Sequence, residues 1–303
     1  MKLLASHLRC ILGLILISTC CGRLAVAGQH YAVRGLILKV DSARKGVVVS
    51  SDAIPGYMEA MSMSYSVRDP KQLEGLKPGM SVDFTLVVER TSSYAENIHE
   101  HKYQGLEPDP LAARRLKLLN QVVNPSRVKQ IAIGELVPDF ALVDQKHDRV
   151  LFSKFAGKAV VLNFIYTRCV LPTFCFRSSN NFGVLQRRLR KRLGRDLVLV
   201  TVTFDPTHDD PGTLAKYAAT WNANPKNWHF LTGSADDVRR VCDLFGEESF
   251  QDEGLMNHSL HTAIINRKGR LVANLEGNEF SAQQLGDLVE AVLTGGPLQA
   301  TPQ

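Results

Sequence analysis

The feature that most constrains the fold of this chain is an uninterrupted apolar run at 159–166 that leads through turn residues into an amphipathic segment. Such a run is typical of a buried parallel strand followed by a helix. Further strands are predicted at 197–204, 228–231, 261–266 and 271–276, and helices at 175–193, 212–221, 235–245 and 282–293. The alternation predicts a layered α/β domain over residues 134–296, and a hairpin at Lys268-Gly269 predicts a mixed sheet edge.

The residues before this domain follow a different pattern. Short strands separated by turns are predicted at 33–40, 46–50 and 82–88. Several short strands within about 60 residues predict a small all-β, OB-like barrel over residues 30–91.

A polar segment separates the two predicted domains. Residues 92–133 contain Pro108 and Pro110, and we interpret them as a linker with a short helical stretch at 111–119. Residues 297–303 are predicted to be a tail.

The N-terminus has the pattern of an export signal. A basic start precedes a short apolar run at 10–17, and Ala25-Val-Ala27 supplies the small residues that a signal peptidase recognises. The run is shorter than the roughly 20 residues of a membrane span. Residues 1–27 are therefore predicted to be a signal peptide and the protein to be periplasmic or otherwise exported. Two alternatives stay open: an uncleaved signal that anchors the chain, and a lipid on Cys20 or Cys21.

The charge of the chain does not favour a nucleic-acid partner. The net charge is +6, and Lys2, Arg9 and Arg23 contribute three of these charges within the predicted signal, which leaves about +3. The basic stretch at 187–192 falls in a segment with apolar residues at helical spacing, so it is predicted to be a solvated helix face.

Three cysteines follow the predicted signal: Cys169, Cys175 and Cys242. One close pair does not make a disulfide framework, and in an exported protein it indicates redox or metal chemistry. Cys242 lies on the apolar side of a helical pattern and is predicted to be an inert core residue. Cys169 and Cys175 lie in a strand-to-helix connection, where active sites of α/β sheets gather. The helix dipole is expected to stabilise a thiolate at Cys175.

Two histidines lie far downstream, at His258 and His261. Two thiolates and one imidazole form a soft ligand set suited to copper(I). Spacing alone does not decide whether His258 is a ligand or an exposed loop residue. It also does not decide whether His261 is a ligand or a solvent-facing strand residue. Asp205 ends a predicted strand beside Pro206; we expect it to cap the following turn, with partner docking as the alternative.

The second domain resembles the SCO/SenC family of copper-handling, thioredoxin-like proteins over about residues 134–296. The matching segments are 137–140, 155–158, 164–169, 203–206 with Asp209 and Pro211, 258–266 and 269–271. The resemblance implies that Cys169, Cys175 and His258 are copper ligands. The commoner family pattern has three residues between the cysteines, each cysteine being followed by proline; here five intervene, with Val170 and Phe176 in those places. A longer subgroup of the family shares this spacing.

The first domain concentrates methionine in one short stretch, with Met58, Met61 and Met63. Met61 and Met63 alternate along a predicted strand and so lie on one face. Methionine clusters often fill cores, but thioethers are also soft ligands for copper(I).

This stretch resembles CusF, a family of periplasmic copper(I) and silver(I) carriers, over about residues 31–90. Met61 and Met63 match its paired methionine ligands, and Met58 takes the place of the tryptophan that caps the ion. The histidine ligand has no counterpart, since the local sequence is Ser50-Ser51-Asp52. The resemblance implies a thioether-dominated site in which Met58 is a third ligand.

The two resemblances together imply an exported copper metallochaperone that binds copper(I), or copper(II), and delivers it to the copper-bearing subunit of a cytochrome oxidase. One alternative is a thiol-disulfide oxidoreductase that uses Cys169 and Cys175 with a thiol reductant. Reductases of that type place a cis-proline before the facing strand, and this chain has Leu260-His261-Thr262 there. A copper-resistance buffer without a client is the other alternative.

Overall fold

The computed structural model describes residues 28–102, 118, 122, 128–169, 171–252 and 255–295. Its first sheet has the order β3-β2-β1-β4-β5, and all neighbouring strands are antiparallel. The strands are β1 (Gln29–Asp41), β2 (Gly46–Ser51), β3 (Met61–Ser66), β4 (Ser81–Val88) and β5 (Ser93–Glu100). A bridge between Val67 and Ala95 joins the two ends of the sheet. The small all-β domain is therefore confirmed.

Strand β5 lies in the segment that the sequence predicts as a linker. It pairs with β4 from Val88–Ser93 to Val82–Glu100. The linker prediction is wrong there because β5 is polar: of its residues only Ala95 is fully buried, so no apolar alternation marks it. Ile131 is also buried, and its amide donates to the Leu244 carbonyl at 2.9 Å. Residues 1–27, 297–303 and most of 103–127 lie outside the described residues.

The second domain is built on a mixed seven-stranded sheet with the order β14-β13-β8-β9-β10-β6-β7. Strands β8, β9 and β10 are parallel, and the other pairs are antiparallel. The strands after the barrel are β6 (Ala141–Asp144), β7 (Arg149–Leu151), β8 (Ala159–Ile165), β9 (Leu197–Thr203), β10 (Trp228–Thr232), β11 (Ser249–Asp252), β12 (Leu255–His258), β13 (His261–Ile265) and β14 (Leu271–Glu276). Strands β11 and β12 form a separate hairpin.

The described residues of this domain include α1 (Arg177–Arg188), α2 (Pro211–Thr220), α3 (Ala235–Phe245) and α4 (Ala282–Thr294). A side chain caps the N-terminus of each helix after α1. The side chains of Asp210, Ser234 and Ser281 each accept a hydrogen bond from the main-chain amide three residues later. Asp210 therefore caps α2. The five predicted strands and four predicted helices are confirmed, although α1 ends at Arg188 instead of residue 193. The strands β6, β7, β11 and β12 are too short, at three or four residues, to show a periodicity.

The central strand β8 is buried along its whole length, which explains its uninterrupted apolar sequence. Helices α1, α2 and α4 pack on one face of the sheet, where Phe182, Leu214 and Leu285 are buried. Helix α3 packs on the other face, where it buries Cys242. Cys242 is thus the core residue that the sequence predicts. None of the helices in the described part of the chain has the length and apolar character needed to cross a bilayer.

The barrel packs directly against α4 and β14. Leu36, Leu38 and Val48 of the barrel belong to the same buried cluster as Leu285 and Ala273 of the second domain. The approach is close: a Cβ at Gly79 would lie 2.6 Å from the Ala273 Cβ. A shared apolar core of this kind resembles the interior of one domain more than a transient contact.

A buried carboxylate lies within this interface. Asp287 of α4 accepts hydrogen bonds from Ser50 Oγ at 2.7 Å, Ser62 Oγ at 2.6 Å and Arg188 Nη2 at 2.5 Å. Gln284, one turn earlier, donates to the Ser50 carbonyl at 3.2 Å and to Asp52 Oδ1 at 3.1 Å. The interface therefore has a polar centre with satisfied partners inside its apolar surroundings.

Candidate metal centre

The structure brings the two cysteines and His258 together beyond the end of β8. The chain leaves the sheet after Ile165 and reaches Cys169, and a wide helical turn, Pro172–Phe176, then places Cys175 just before α1. The ligand atoms of Cys169, Cys175 and His258 lie within 4.8 Å of one another. Two sulfurs and one nitrogen at this spacing fit a soft ion such as copper(I).

His258 is held with a defined ring orientation. Its Nδ1 lies 2.6 Å from the Ser259 carbonyl oxygen. A carbonyl only accepts, so Nδ1 carries a proton, and Nε2 is the nitrogen that can bind an ion once it is deprotonated. The side chain is only 4% exposed, and the ring contacts Phe204, Phe174 and Tyr166 at centroid distances of 4.7, 5.6 and 5.7 Å. His258 is thus a buried, oriented nitrogen donor and not an exposed loop residue.

The two thiols are electrostatically unequal. A hydrogen bond from Cys175 lowers the pKa of Cys169 below its usual value, and a hydrogen bond from His258 adds to this effect. The interaction with Cys169 and the burial of Cys175, which is 1% exposed, raise the pKa of Cys175 well above its usual value. The expectation of a dipole-stabilised thiolate at Cys175 is therefore wrong, because burial and the neighbouring sulfur outweigh the start of the helix.

Burial lowers the pKa of His258, but the neighbouring Cys169 sulfur and the Glu247 carboxylate outweigh it and raise that pKa to about 9. In the reduced protein at neutral pH, Cys169 and His258 therefore form a thiolate–imidazolium pair. A soft cation that binds here displaces the imidazolium proton and the proton of Cys175, so binding releases protons.

This asymmetry predicts selective alkylation. At pH 6 an ordinary thiol is only about 0.3% thiolate, so we expect iodoacetamide to modify Cys169 at least about tenfold faster than Cys175 or Cys242. Peptide mass mapping of the reduced, metal-free protein measures the rates. In denaturant all three cysteines should react alike, which is the control. Equal labelling of Cys169 and Cys175 in the folded protein would contradict the assigned asymmetry.

Side chains from the loop between β9 and α2 fix the segment that leads to Cys169. Asp209 is fully buried and accepts from the Thr167 amide at 3.0 Å and from Thr203 Oγ1 at 2.6 Å. Arg168 Nη2 donates to Asp205 at 2.8 Å. Asp205 thus binds the cysteine segment, and its other carboxylate oxygen lies 2.8 Å from His208 Nδ1 in the turn that follows it. Asp205 and Asp209 belong to the family motif recognised in the sequence. Their spacing did not reveal which residues they bind.

Two further polar residues lie behind His258. Glu247 is 3% exposed, and one of its carboxylate oxygens is 3.8 Å from His258 Nδ1. Its other oxygen accepts the His261 amide at 3.0 Å. His261 lies outside the three-residue donor group. Glu247 was missed in the sequence because it follows an apolar helical segment and belongs to no recognisable motif.

The three methionines lie on β3 and in the segment just before it. Met61 and Met63 belong to β3, opposite Ser51 and Val49 of β2. Met58 precedes them and pairs with Ile54 through main-chain hydrogen bonds of 2.8 and 3.0 Å. Met58 and Met63 pack partly against the barrel core, whereas Met61 is 42% exposed. The thioether site remains a prediction.

The fold defines a domain of the thioredoxin-like class preceded by a small barrel, and its two thiols and one imidazole are spaced as a soft-metal site requires. Comparisons with known proteins identify the family. The SCO1/SenC family model matches residues 129–294, which is more than half of the chain, and the chain therefore belongs to the SCO1/SenC family. The model described as "Copper binding periplasmic protein CusF" matches residues 30–99. The CusF-like character of the barrel and copper as the metal, both predicted from the sequence, are thus confirmed.

Individual relatives are distant. Protein sco1 of Schizosaccharomyces pombe is 24% identical over 161 residues, which are 50% of this chain and 58% of that protein. The SCO1 protein homolog of Bacillus subtilis is 30% identical over 150 residues, 47% of this chain and 75% of that protein. The copper-bound structure of Arabidopsis thaliana ScoI is 23% identical, with a TM-score of 0.46, and covers 54% of this chain and 99% of that chain. The chain thus spans little more than half the length of the fission yeast relative.

Proposed function

We propose that this protein is an exported copper metallochaperone. The observation that carries the proposal is the triad of Cys169, Cys175 and His258, whose ligand atoms lie within 4.8 Å of one another. A half-buried thiolate, a buried thiol and an oriented imidazole form a three-donor set that binds copper(I) without rearrangement of the fold. The open side at Cys169 offers a route by which a partner's ligands reach the ion.

The proposed client is the copper-bearing subunit of a cytochrome oxidase. Family membership supports this choice, and the surroundings of the site are compatible with docking. Leu171 and Phe176, which flank the two cysteines, are 49% and 57% exposed. Apolar side chains around a metal site favour a protein partner that covers the site during transfer.

The protein is proposed to be periplasmic or otherwise exported. This location is supported by the signal pattern at residues 1–27 and by the match of the barrel to a periplasmic family. Mass spectrometry of the purified N-terminus tests it: processing after Ala27 supports export of a free chain, and a lipidated Cys20 or Cys21 supports an anchored one. An N-terminus that still begins at Met1 without a lipid would contradict processing.

The test of the chaperone proposal measures copper content and transfer. We expect the full chain to hold two copper(I) ions. A Met58, Met61 and Met63→Leu variant should lose one, and Cys169→Ser should lose the other. The copper-loaded protein should then assemble the copper centre of a purified, soluble oxidase copper domain. The absorption of that centre measures the transfer. Wild-type protein that binds copper but transfers none would contradict a delivery role.

The thiol-disulfide oxidoreductase remains the second candidate, favoured by the unequal pKa values of Cys169 and Cys175. An attacking thiolate beside a buried thiol is also the arrangement of dithiol reductases. Insulin reduction by the metal-free protein with a thiol reductant separates the two functions. Turnover comparable to a thioredoxin, lost in Cys169→Ser, would favour the enzyme over the chaperone.

A further inference from the structure

A buried carboxylate lies behind the proposed copper ligand His258 and is not itself part of the donor group. Glu247 Oε1 is 3.8 Å from His258 Nδ1 and has no hydrogen-bond partner among the described residues. Its other oxygen, Oε2, accepts only the His261 amide at 3.0 Å. A buried carboxylate with one unsatisfied oxygen is costly to fold. Its place beside the imidazole therefore requires a reason other than stability.

The local backbone keeps this carboxylate in place. Helix α3 ends at Phe245, and its C-cap Gly246 has a φ of 78°, in the left-handed region that favours glycine. The Glu248 amide donates to Ser259 Oγ at 2.8 Å, and the Ser259 amide donates to the Glu248 carbonyl at 2.8 Å. The segments that carry Glu247 and His258 are thus tied together immediately beside both side chains, so neither swings away without breaking these bonds.

The chemical consequence concerns the nitrogen on the far side of the ring. The Nδ1 proton already points to the Ser259 carbonyl at 2.6 Å, and a negative charge 3.8 Å from Nδ1 makes the imidazole more electron-rich. Nε2 then becomes a stronger donor. Copper(I) is held mainly by the two soft sulfurs, whereas copper(II) depends more on a nitrogen ligand. The carboxylate should therefore favour copper(II) more than copper(I).

We propose that Glu247 is a positioning residue that orients His258 and shifts the balance of the site toward copper(II). This inference rests on the proposed copper function of the Cys169, Cys175 and His258 site. It adds to that function a control over which oxidation state the protein retains.

The test compares Glu247→Gln, which keeps the shape and removes the charge, with Glu247→Leu, which also removes the acceptor. We expect the copper(II) Kd to rise about 10- to 100-fold in Glu247→Leu and less in Glu247→Gln. The copper(I) Kd should change by less than about threefold, because both thiolates remain. The one-electron copper potential should then rise by about 59 to 118 mV in Glu247→Leu. Glu290→Gln on α4 removes an equal charge at a distant pair with Arg188 and is the matched control.

Competition titrations with each copper ion, electron paramagnetic resonance of the copper(II) form and potentiometry give the three readouts. Unchanged copper(II) affinity and spectrum in both variants would show that Glu247 only fills space. An equal loss of copper(I) and copper(II) affinity would show a general collapse of the site and would also overturn the proposal. If Glu247→Leu does not fold, Glu247→Gln decides. Wild-type protein that binds no copper would instead overturn the proposed function.

Discussion

Cys169→Ser is expected to weaken copper(I) binding by about three orders of magnitude, or roughly 4 kcal/mol. Cys169 carries the thiolate of the pair, since its pKa is lowered by Cys175 and His258. Serine replaces that soft, charged donor with a hard hydroxyl that stays protonated. Competition with a chromophoric copper(I) chelator measures the Kd, with the methionine site removed by Met58, Met61 and Met63→Leu so that only one site reports.

The matched control is Cys242→Ala. Cys242 is 4% exposed and belongs to the core on the opposite face of the sheet, so its removal should leave the copper(I) Kd within experimental error. Burial raises the pKa of Cys242 well above its usual value, which keeps it a thiol. A similar loss of affinity in both variants would indicate that Cys169→Ser acts through the fold and not through the ligand.

Asp287→Ala is expected to lower the free energy of unfolding by about 3 kcal/mol. The carboxylate is the common acceptor of Ser50, Ser62 and Arg188 between the barrel and α4. Alanine removes the acceptor of Ser50 and Ser62 and leaves Arg188 with Glu290 as its remaining carboxylate partner. Urea denaturation followed by circular dichroism gives the difference, and the barrel and the α/β domain should unfold less cooperatively than in the wild type.

Glu290→Ala provides the comparison within the same ion cluster. Glu290 also binds Arg188, at 2.9 Å, but its side chain is 34% exposed. A solvent-exposed pair contributes at most about 1 kcal/mol, so this variant should be nearly as stable as the wild type. Equal destabilisation by the two variants would assign the effect to the loss of any Arg188 partner, and not to the buried interface.

Much of the site is predictable because its parts are local. The buried strand has an uninterrupted apolar sequence, and the helix after it has apolar residues at helical spacing. Cys169 and Cys175 lie where the first pattern gives way to the second. The family motif around His258 added the third proposed ligand. The difference between the two thiols is not evident from the sequence, since the pKa values of Cys169 and Cys175 depend on which sulfur is enclosed by neighbours from other elements.

The edge strand β5 shows why polar segments are hard to assign. Residues Ser93–Glu100 have no apolar face that would mark them as a strand in the sequence. Their main-chain pairing with β4 is what identifies them as a strand. Main-chain hydrogen bonds to a neighbour do not depend on side-chain type, so they leave no pattern in the sequence. The predicted linker accordingly began too early.

The α/β alternation, the barrel, the paired cysteines and the soft ligand types can be predicted from the sequence, because each depends on residues close together in the chain or on residue chemistry alone. The position of Glu247 behind His258 and the place of Asp287 between the two domains are evident only in the folded protein. The hydrogen bond from Ser50 to Asp287 links residues 237 positions apart. Contacts at such separations depend on how whole elements pack, and burial of a polar residue becomes evident only when its partners are in place.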